Sequence, residues 1–196
     1  MRAGESDRTP AWKRIEDVGA GALLSLVLLV PGVVTAIAIL LDSGWPPLIR
    51  QRRIGAHGRE FLMWKFRTLP KDTPQVAKSD LEDIGLRASR FGRLLRRTSV
   101  DEFPQLLNVL AGQMSLVGPR PALFNQIELT EMRLKSGVLR VLPGLTGLAQ
   151  ISGREDLSLK EKVALDEQYV RTMSPALDLG IALRTFGAVL SGRGNR

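Results

Sequence analysis

An uncharged apolar run occupies residues 18–41 and constrains the fold more than any other part of the sequence. At about 1.5 Å per residue, a helix over this run would be about 36 Å long, enough to cross the hydrocarbon core of a bilayer. A secretory signal peptide has a shorter apolar region followed by a small-residue cleavage site, and this run has neither property. A soluble helix of this length would carry a polar stripe. The sequence therefore predicts a membrane helix over about residues 18–41.

The path of this helix through the membrane is a separate question, because Pro31 and Gly32 lie near its centre. Proline removes a backbone donor and clashes with the preceding turn, so a bend is expected there. Basic residues flank both ends of the run, and the positive-inside rule then keeps both ends cytoplasmic: Arg8, Lys13 and Arg14 before it, Arg50, Arg52 and Arg53 after it. We expect a re-entrant hairpin broken at Pro31, with a tilted, kinked span as the alternative.

The charge of the chain indicates an anionic partner. The 196 residues have a formal net charge of +8, which favours nucleic acid, an anionic lipid surface or a phosphorylated small molecule. Aromatic residues make up only 5%, so stacking platforms for single-stranded nucleic acid are not expected. The chain has no cysteine and one histidine. Disulfides, thiolate zinc sites and histidine clusters are thereby excluded.

The remaining sequence predicts a mostly α chain with a minor β element. We divide it into an N-terminal anchor (1–47), a membrane-surface α/β domain (48–190) and a flexible tail (191–196). Two strands, 48–54 and 61–66, flank a turn at His57. Helices are predicted at 81–97, from about 103 to 110, at 125–142, from a Ser158–Glu161 capping box to about 173, and at 177–190. The helix at 81–97 is basic and amphipathic, which fits either anionic headgroups or a solvated surface.

Two adjacent carboxylates, Asp101 and Glu102, are the clearest chemical signal. Arginines frame them, and this pattern suits a phosphorylated substrate with a divalent metal: one carboxylate attacks phosphorus while its neighbour holds the ion. Pro104 is tolerated only in a first turn, which places the pair at a helix N-terminus. The helix dipole there is expected to keep Asp101 ionised. In the alternative interpretation, Ser99 and Glu102 form a capping box and Glu102 only satisfies a helix end.

Five segments resemble the core motifs of the bacterial sugar transferases, the monotopic phosphoglycosyl transferases, in the order found in that family. The segments are Lys65-Phe66-Arg67-Thr68, the run 91–110 that contains Arg96, Asp101 and Glu102, the run 114–121 that ends in Gly118-Pro119-Arg120-Pro121, the run Pro143-Gly144-Leu145-Thr146-Gly147, and 166–170. Together they extend from the membrane segment nearly to the C-terminus, and their joint specificity is high. The chain resembles the small, minimal catalytic form of the family.

This resemblance implies a ping-pong reaction on the cytoplasmic face of the bacterial inner membrane. Asp101 attacks the sugar-linked phosphate of a UDP-sugar, releases UMP and carries the phosphosugar. Polyprenol phosphate, such as undecaprenyl phosphate, then takes the phosphosugar in the first membrane step of glycoconjugate or polysaccharide assembly. The resemblance also implies Mg²⁺ on Glu102, with Asp101 close to the ion, and substrate-binding roles for basic residues at Lys65, Arg96, Arg120 and Arg154.

The partners expected from this interpretation are the UDP-sugar, polyprenol phosphate and anionic membrane lipid, with no nucleic acid. The sugar and the oligomeric state stay open. A second hypothesis comes from the net charge and the arginine-rich segment 87–97: a non-catalytic basic module that docks on the membrane surface.

Overall fold

A computed structural model describes residues 9–73, 88–153 and 157–190. The helices are α1 Ala11–Ser43, α2 Arg90–Arg97, α3 Leu106–Leu110, α4 Ile127–Ser136, α5 Leu148–Ser152, α6 Leu159–Thr172 and α7 Pro175–Leu190. The strands are β1 Leu48–Ile54, β2 Glu60–Phe66, β3 Ser115–Val117, β4 Ala122–Leu123 and β5 Gly144–Thr146. Short 3₁₀ helices lie at Ala56–Gly58, Val100–Gln105 and Val138–Arg140. The prediction of a mostly helical chain with a small amount of sheet is confirmed.

Helix α1 contains the predicted apolar run and is long and apolar enough to cross a membrane. Only 11% of its most apolar stretch is buried. The helix continues through Pro31, and the Thr35 hydroxyl donates to the Pro31 carbonyl at 2.8 Å. The interruption predicted at Pro31 is therefore not seen. The turns around Pro31 stay helical although proline lacks a backbone N–H. The re-entrant path stays a proposal.

The first turns of α1 carry two charged side chains, Lys13 and Asp17, that are buried in the globular part of the protein. Lys13 forms a buried ion pair with Asp178 of α7. Asp17 accepts hydrogen bonds from the Ser115 hydroxyl at 2.9 Å and the Leu116 amide at 2.8 Å. These contacts explain why the helix begins ahead of the apolar run: charged side chains at its start have buried partners.

The C-terminal end of α1 is held by Arg67, which follows β2. Its guanidinium donates to the carbonyl oxygens of Ser43 at 2.6 Å and Trp45 at 3.0 Å. A cation at the end of a helix satisfies carbonyls without an intrahelical partner and faces the negative end of the helix dipole. Both ends of α1 are thus attached to the domain, while its apolar outer face is exposed.

Strands β1 and β2 form the predicted antiparallel pair, in register from Leu48 opposite Phe66 to Ile54 opposite Glu60. The predicted turn at His57 is confirmed, and His57 has a left-handed backbone (φ 56°). The short strand β4 pairs with the other side of β1, so the sheet order is β2-β1-β4. Strand β2 is therefore an edge strand.

The free edge of β2 is covered by Asn108 of α3. The Asn108 side chain accepts from the Trp64 amide at 3.0 Å and donates to the Leu62 carbonyl at 2.8 Å. These bonds replace the neighbour that an edge strand lacks. They also hold the 3₁₀ helix Val100–Gln105, which immediately precedes α3, against the strand that carries Lys65.

Strands β3 and β5 form a separate parallel pair, and the backbone approaches closely where β3 ends. A Cβ added at Gly144 would lie 2.1 Å from the Gly118 nitrogen, and one at Gly147 would lie 2.1 Å from the Gly118 oxygen. Only residues without a side chain fit this contact. It determines the direction in which the loop containing Arg120 leaves β3.

Two predicted helices differ in extent. The predicted helix at 125–142 ends at Ser136, because Gly137 adopts a left-handed conformation (φ 78°) and a 3₁₀ turn follows. The basic helix predicted at 81–97 is described only in part, since 81–87 lie outside the described residues. Its described portion, α2, begins at Arg90 with Ser89 as the N-cap. The predicted Ser158–Glu161 capping box is confirmed.

The glycine contact can be tested with Gly144→Ala. The added methyl group overlaps backbone atoms, so we expect the free energy of unfolding to fall by about 1–3 kcal/mol or more, as for overpacked cores. Gly180→Ala in α7 is the matched control, because nothing lies within 4 Å of its added Cβ. There the better helix propensity of alanine is expected to stabilise by up to about 1 kcal/mol. Denaturation of purified protein in detergent measures both, and equal stability of the two variants would contradict the prediction.

Candidate functional site

Asp101 and Glu102 lie in the first turn of the 3₁₀ helix Val100–Gln105, between α2 and α3. The chain enters this turn through Ser99, which has a left-handed backbone (φ 57°). The Glu102 amide donates to the Ser99 carbonyl at 3.1 Å. The predicted position of the two carboxylates in a first helical turn is confirmed, although the turn is 3₁₀ rather than α-helical.

Glu102 is held by two cations. Its Oε1 accepts from Lys65 Nζ at 3.0 Å and from Arg120 Nη2 at 2.6 Å. Arg120 Nη1 lies 3.4 Å from Oε2. The capping-box alternative is therefore wrong. Ser99 does not have the extended backbone of an N-cap and does not cap this helix, and the Glu102 carboxylate is engaged with side chains of other elements.

Asp101 has a different environment, although it is adjacent in the chain. Its side chain is nearly buried, and Lys65 Nζ lies 3.6 Å from Oδ2. Burial raises the pKa of Asp101, the charge of Lys65 offsets this only in part, and the charge of Glu102 adds to it. The helix terminus was expected to favour the ionised form of Asp101, and desolvation opposes that effect.

The pKa of Glu102 moves in the opposite direction. Burial acts to raise it, but the charges of Arg120 and Lys65 and their hydrogen bonds outweigh burial and hold the pKa below its usual range. Glu102 is therefore an ionised, paired carboxylate, and Asp101 a desolvated and more basic one. Two neighbouring carboxylates with pKa values pushed apart are typical of sites where each has its own chemical role.

Three of the four predicted binding residues converge on this pair. Lys65 comes from β2, and Arg120 comes from the loop between β3 and β4. Arg96 lies in the last turn of α2, and its charge lowers the pKa of Asp101. Arg154 lies outside the described residues. The three cations surround two carboxylates, which leaves an excess of positive charge for an anion such as a phosphate.

Sequence reasoning missed Arg53 of β1 as a neighbour of this site. Its guanidinium donates to the Pro121 carbonyl at 2.9 Å and to Gln51 Oε1 at 2.6 and 3.1 Å. Burial lowers the pKa of Arg53 to about 9, and the charge of Arg120 adds to this. The available signal was strand periodicity, since Gln51 and Arg53 share one face of β1.

Two protein carboxylates are too few to hold a metal by themselves, but they could contribute to a Mg²⁺ site. Among the residues that the structure describes, no three or more His, Cys, Asp or Glu side chains are grouped to hold a metal. Asp101 and Glu102 are the two carboxylates present. Mg²⁺ commonly takes one or two protein carboxylates together with substrate phosphates and water, and this pair fits that requirement.

Comparison with known proteins agrees with the motifs. The family model described as "Bacterial sugar transferase" matches residues 8–192. The chain is 42% identical over 188 residues to a UDP-glucose:undecaprenyl-phosphate glucose-1-phosphate transferase of Caulobacter vibrioides, covering 91% of this chain and 70% of that protein.

Two further relatives differ in length. The chain is 40% identical over 183 residues to the uncharacterized sugar transferase EpsL of Bacillus subtilis, covering 93% of this chain and 89% of that protein. It is 37% identical over 196 residues to a UDP-galactose-lipid carrier transferase of Erwinia amylovora, covering 91% of this chain but only 40% of that protein.

The opposite pKa shifts predict opposite effects on stability. A carboxyl with a raised folded-state pKa destabilises the fold when ionised above its unfolded pKa, so Asp101→Asn should raise the melting temperature at pH 7.5. A carboxyl with a lowered folded-state pKa stabilises the fold when ionised, so Glu102→Gln should lower the melting temperature. Each kcal/mol corresponds to about 2–4 °C. Thermal melts in detergent with EDTA measure both.

The same reasoning gives a pH dependence for Glu102. The stability difference between the parent protein and Glu102→Gln should be fully present well above the usual Glu pKa of 4.5. It should shrink as pH falls below that value towards the lowered pKa of the folded state. A lower melting temperature for Asp101→Asn, or no effect of Glu102→Gln, would contradict the electrostatic description of the pair.

Proposed function

This chain belongs to the bacterial sugar transferase family, and we propose that it transfers a sugar-1-phosphate from a UDP-sugar to polyprenol phosphate, with undecaprenyl phosphate as the acceptor. The observation that carries this proposal is the pair of adjacent carboxylates with opposite environments, Glu102 paired with two cations and Asp101 buried with a raised pKa. The names of the Caulobacter and Erwinia relatives support a UDP-hexose donor and a lipid carrier acceptor.

In the proposed first half-reaction, an Asp101 carboxylate oxygen attacks the phosphorus that bears the sugar. The bond from this phosphorus to the bridging oxygen breaks, and UMP leaves with the electron pair. The phosphosugar then remains on Asp101 as an acyl phosphate. A desolvated carboxylate with a raised pKa is a stronger nucleophile than a solvated one, which suits Asp101 for this role.

In the second half-reaction, a phosphate oxygen of polyprenol phosphate attacks the same phosphorus. The bond to Asp101 breaks, the carboxylate is regenerated, and the product is a polyprenyl diphosphate sugar. Both substrates are anions. A covalent intermediate lets them use one cationic pocket in turn, so they need not be held together against their repulsion.

We assign the binding of phosphate to Arg120, Lys65 and Arg96. The Arg120 side chain is 38% exposed and that of Lys65 is 14% exposed, so Arg120 presents the more accessible donors. The diphosphate of an incoming UDP-sugar competes with Glu102 for the same N–H groups. Arg154 is proposed to contact the nucleotide.

Glu102 and Asp101 are the residues that would hold Mg²⁺. When bound, the ion supplies positive charge that neutralises the oxygens of the transferring phosphate. Binding of phosphate by Arg120 and Lys65 releases Glu102 oxygens for this purpose, so the protein's own cations need not leave the site.

The membrane arrangement supports the same chemistry. Polyprenol phosphate stays in the bilayer and UDP-sugars are water-soluble, so the site must lie at the boundary. Both ends of α1 are attached to the domain that carries Asp101, and basic residues flank both ends of the apolar run. We propose that α1 is re-entrant, with the catalytic domain on anionic headgroups at the cytoplasmic face of the bacterial inner membrane.

Activity tests the roles of the two carboxylates. We expect Asp101→Asn to reduce UMP release to background and to form no phosphosugar adduct, because the nucleophile is absent. Glu102→Gln should weaken the Mg²⁺ dependence. The measurement is UMP release from UDP-glucose and UDP-galactose with undecaprenyl phosphate and Mg²⁺, and adducts are sought by mass spectrometry.

The matched control for this test is Glu167→Gln, which changes an acid in a surface ion pair with Arg171. It should retain full activity. If Asp101→Asn kept its activity while neutralisation of the exposed arginines Arg90, Arg93 and Arg97 abolished vesicle binding and function, the non-catalytic membrane-binding module would be the better description.

The path of α1 can be tested because the chain has no cysteine. Single cysteines at Ala11 and Arg59, exposed sites before and after the apolar run, should both react with an impermeant maleimide in inverted vesicles and not in spheroplasts. A cysteine at Leu26, in the exposed apolar face, should be protected in both. Reaction of Ala11→Cys from the periplasmic side would show a spanning helix instead.

A further inference from the structure

The loop that carries Arg120 is held at three consecutive carbonyls by three different elements. The Pro119 oxygen accepts from the Gly144 amide of β5 at 2.9 Å. The Arg120 oxygen accepts from Arg133 Nη1 of α4 at 2.6 Å. The Pro121 oxygen accepts from Arg53 Nη1 of β1 at 2.9 Å. Because proline also restricts the backbone on either side, the loop has little freedom.

The contact to the Arg120 carbonyl comes from a buried ion pair. Arg133 and Asp166 of α6 are 4% and 2% exposed. Arg133 donates to Asp166 Oδ2 through Nε at 3.0 Å and Nη2 at 2.6 Å. The remaining terminal nitrogen points to the Arg120 carbonyl. One planar guanidinium thus joins Asp166 to the backbone of Arg120.

Holding α4 and α6 together does not require this pair. Their interface already contains an apolar cluster with Leu129 of α4 and Val163 of α6. Burying two charges carries a desolvation cost that their attraction repays only with good geometry, and apolar residues of similar volume are often as stabilising. What this ion pair adds is therefore the hydrogen bond from Arg133 to the Arg120 carbonyl.

We propose that Arg133 and Asp166 are positioning residues that aim the Arg120 guanidinium at Glu102 and the transferring phosphate. This inference rests on the proposed function, in which Arg120 binds phosphate. The Arg120 side chain is 38% exposed and bonded to Glu102, so it has room to move, and how well it reaches Glu102 depends also on where its backbone is held. A reacting group displaced by about 1 Å can lose about 100-fold in rate.

The test replaces the ion pair by an apolar pair, Arg133→Met with Asp166→Leu. The melting temperature should be maintained or rise, while kcat for UMP release falls by about 10–100-fold. Arg120→Ala is made alone and together with this double change. If the pair acts through Arg120, adding it to Arg120→Ala should reduce kcat by less than about 3-fold, since the positioned group is already absent.

A surface ion pair serves as the control. Arg171→Ala with Glu167→Ala removes an exposed pair on α6 and should leave kcat, KM and melting temperature unchanged. Should the apolar pair fail to fold, Asp166→Asn preserves the side-chain shape and carries the same coupling measurement against Arg120→Ala.

The outcomes separate the two proposals. Losses that multiply in the combined variant, or full activity of the apolar pair, would overturn the positioning role while leaving the transferase assignment intact. No UMP release by the parent protein from any UDP-sugar with undecaprenyl phosphate and Mg²⁺ would instead overturn the proposed function.

Discussion

The structure of the site depends on one largely buried carboxylate that is shared between two cations. Glu102 accepts from Lys65 and Arg120, and these residues belong to a β-hairpin strand and to the loop after β3. An ionised carboxylate out of water is costly unless it is paired, and removal of one partner leaves an uncompensated charge. This contact therefore requires the strand, the 3₁₀ helix and the loop to be in place together.

The same charges give the neighbouring carboxylates Asp101 and Glu102 different pKa values. Lys65 and Arg120 are close enough to Glu102 to outweigh its burial, whereas Asp101 meets Lys65 at a longer distance and its pKa rises. One carboxylate is thereby suited to hold positive charge and the other to act as a nucleophile. A shift of about an ångström in Lys65 or Arg120 would change the pKa values of both carboxylates. This gives a physical reason for the contacts that hold the loop of Arg120.

Several arginines act inside the protein rather than on its surface. Arg14 donates to the Val109 and Leu110 carbonyls at the end of α3, the latter at 2.7 Å, and Arg67 holds the end of α1. Arg53 and Arg133 hold the loop of Arg120. The net charge of +8 therefore overstates the positive surface available to lipid or nucleotide, since part of this charge satisfies backbone carbonyls.

Local patterns in the sequence were sufficient for the apolar helix, the hairpin of β1 and β2 and the first-turn position of Asp101 and Glu102, because each depends on neighbours a few residues away. Local rules also misled: they predicted an interruption at Pro31, left a capping role for Glu102 as an alternative, and took no account of the burial that raises the pKa of Asp101. Tertiary structure decided these points, and it assigned roles to Asn108 and Arg133 that no pattern indicated. The physical reason is that burial, pairing and pKa depend on distances between residues far apart in the chain, and those distances exist only once the chain is folded.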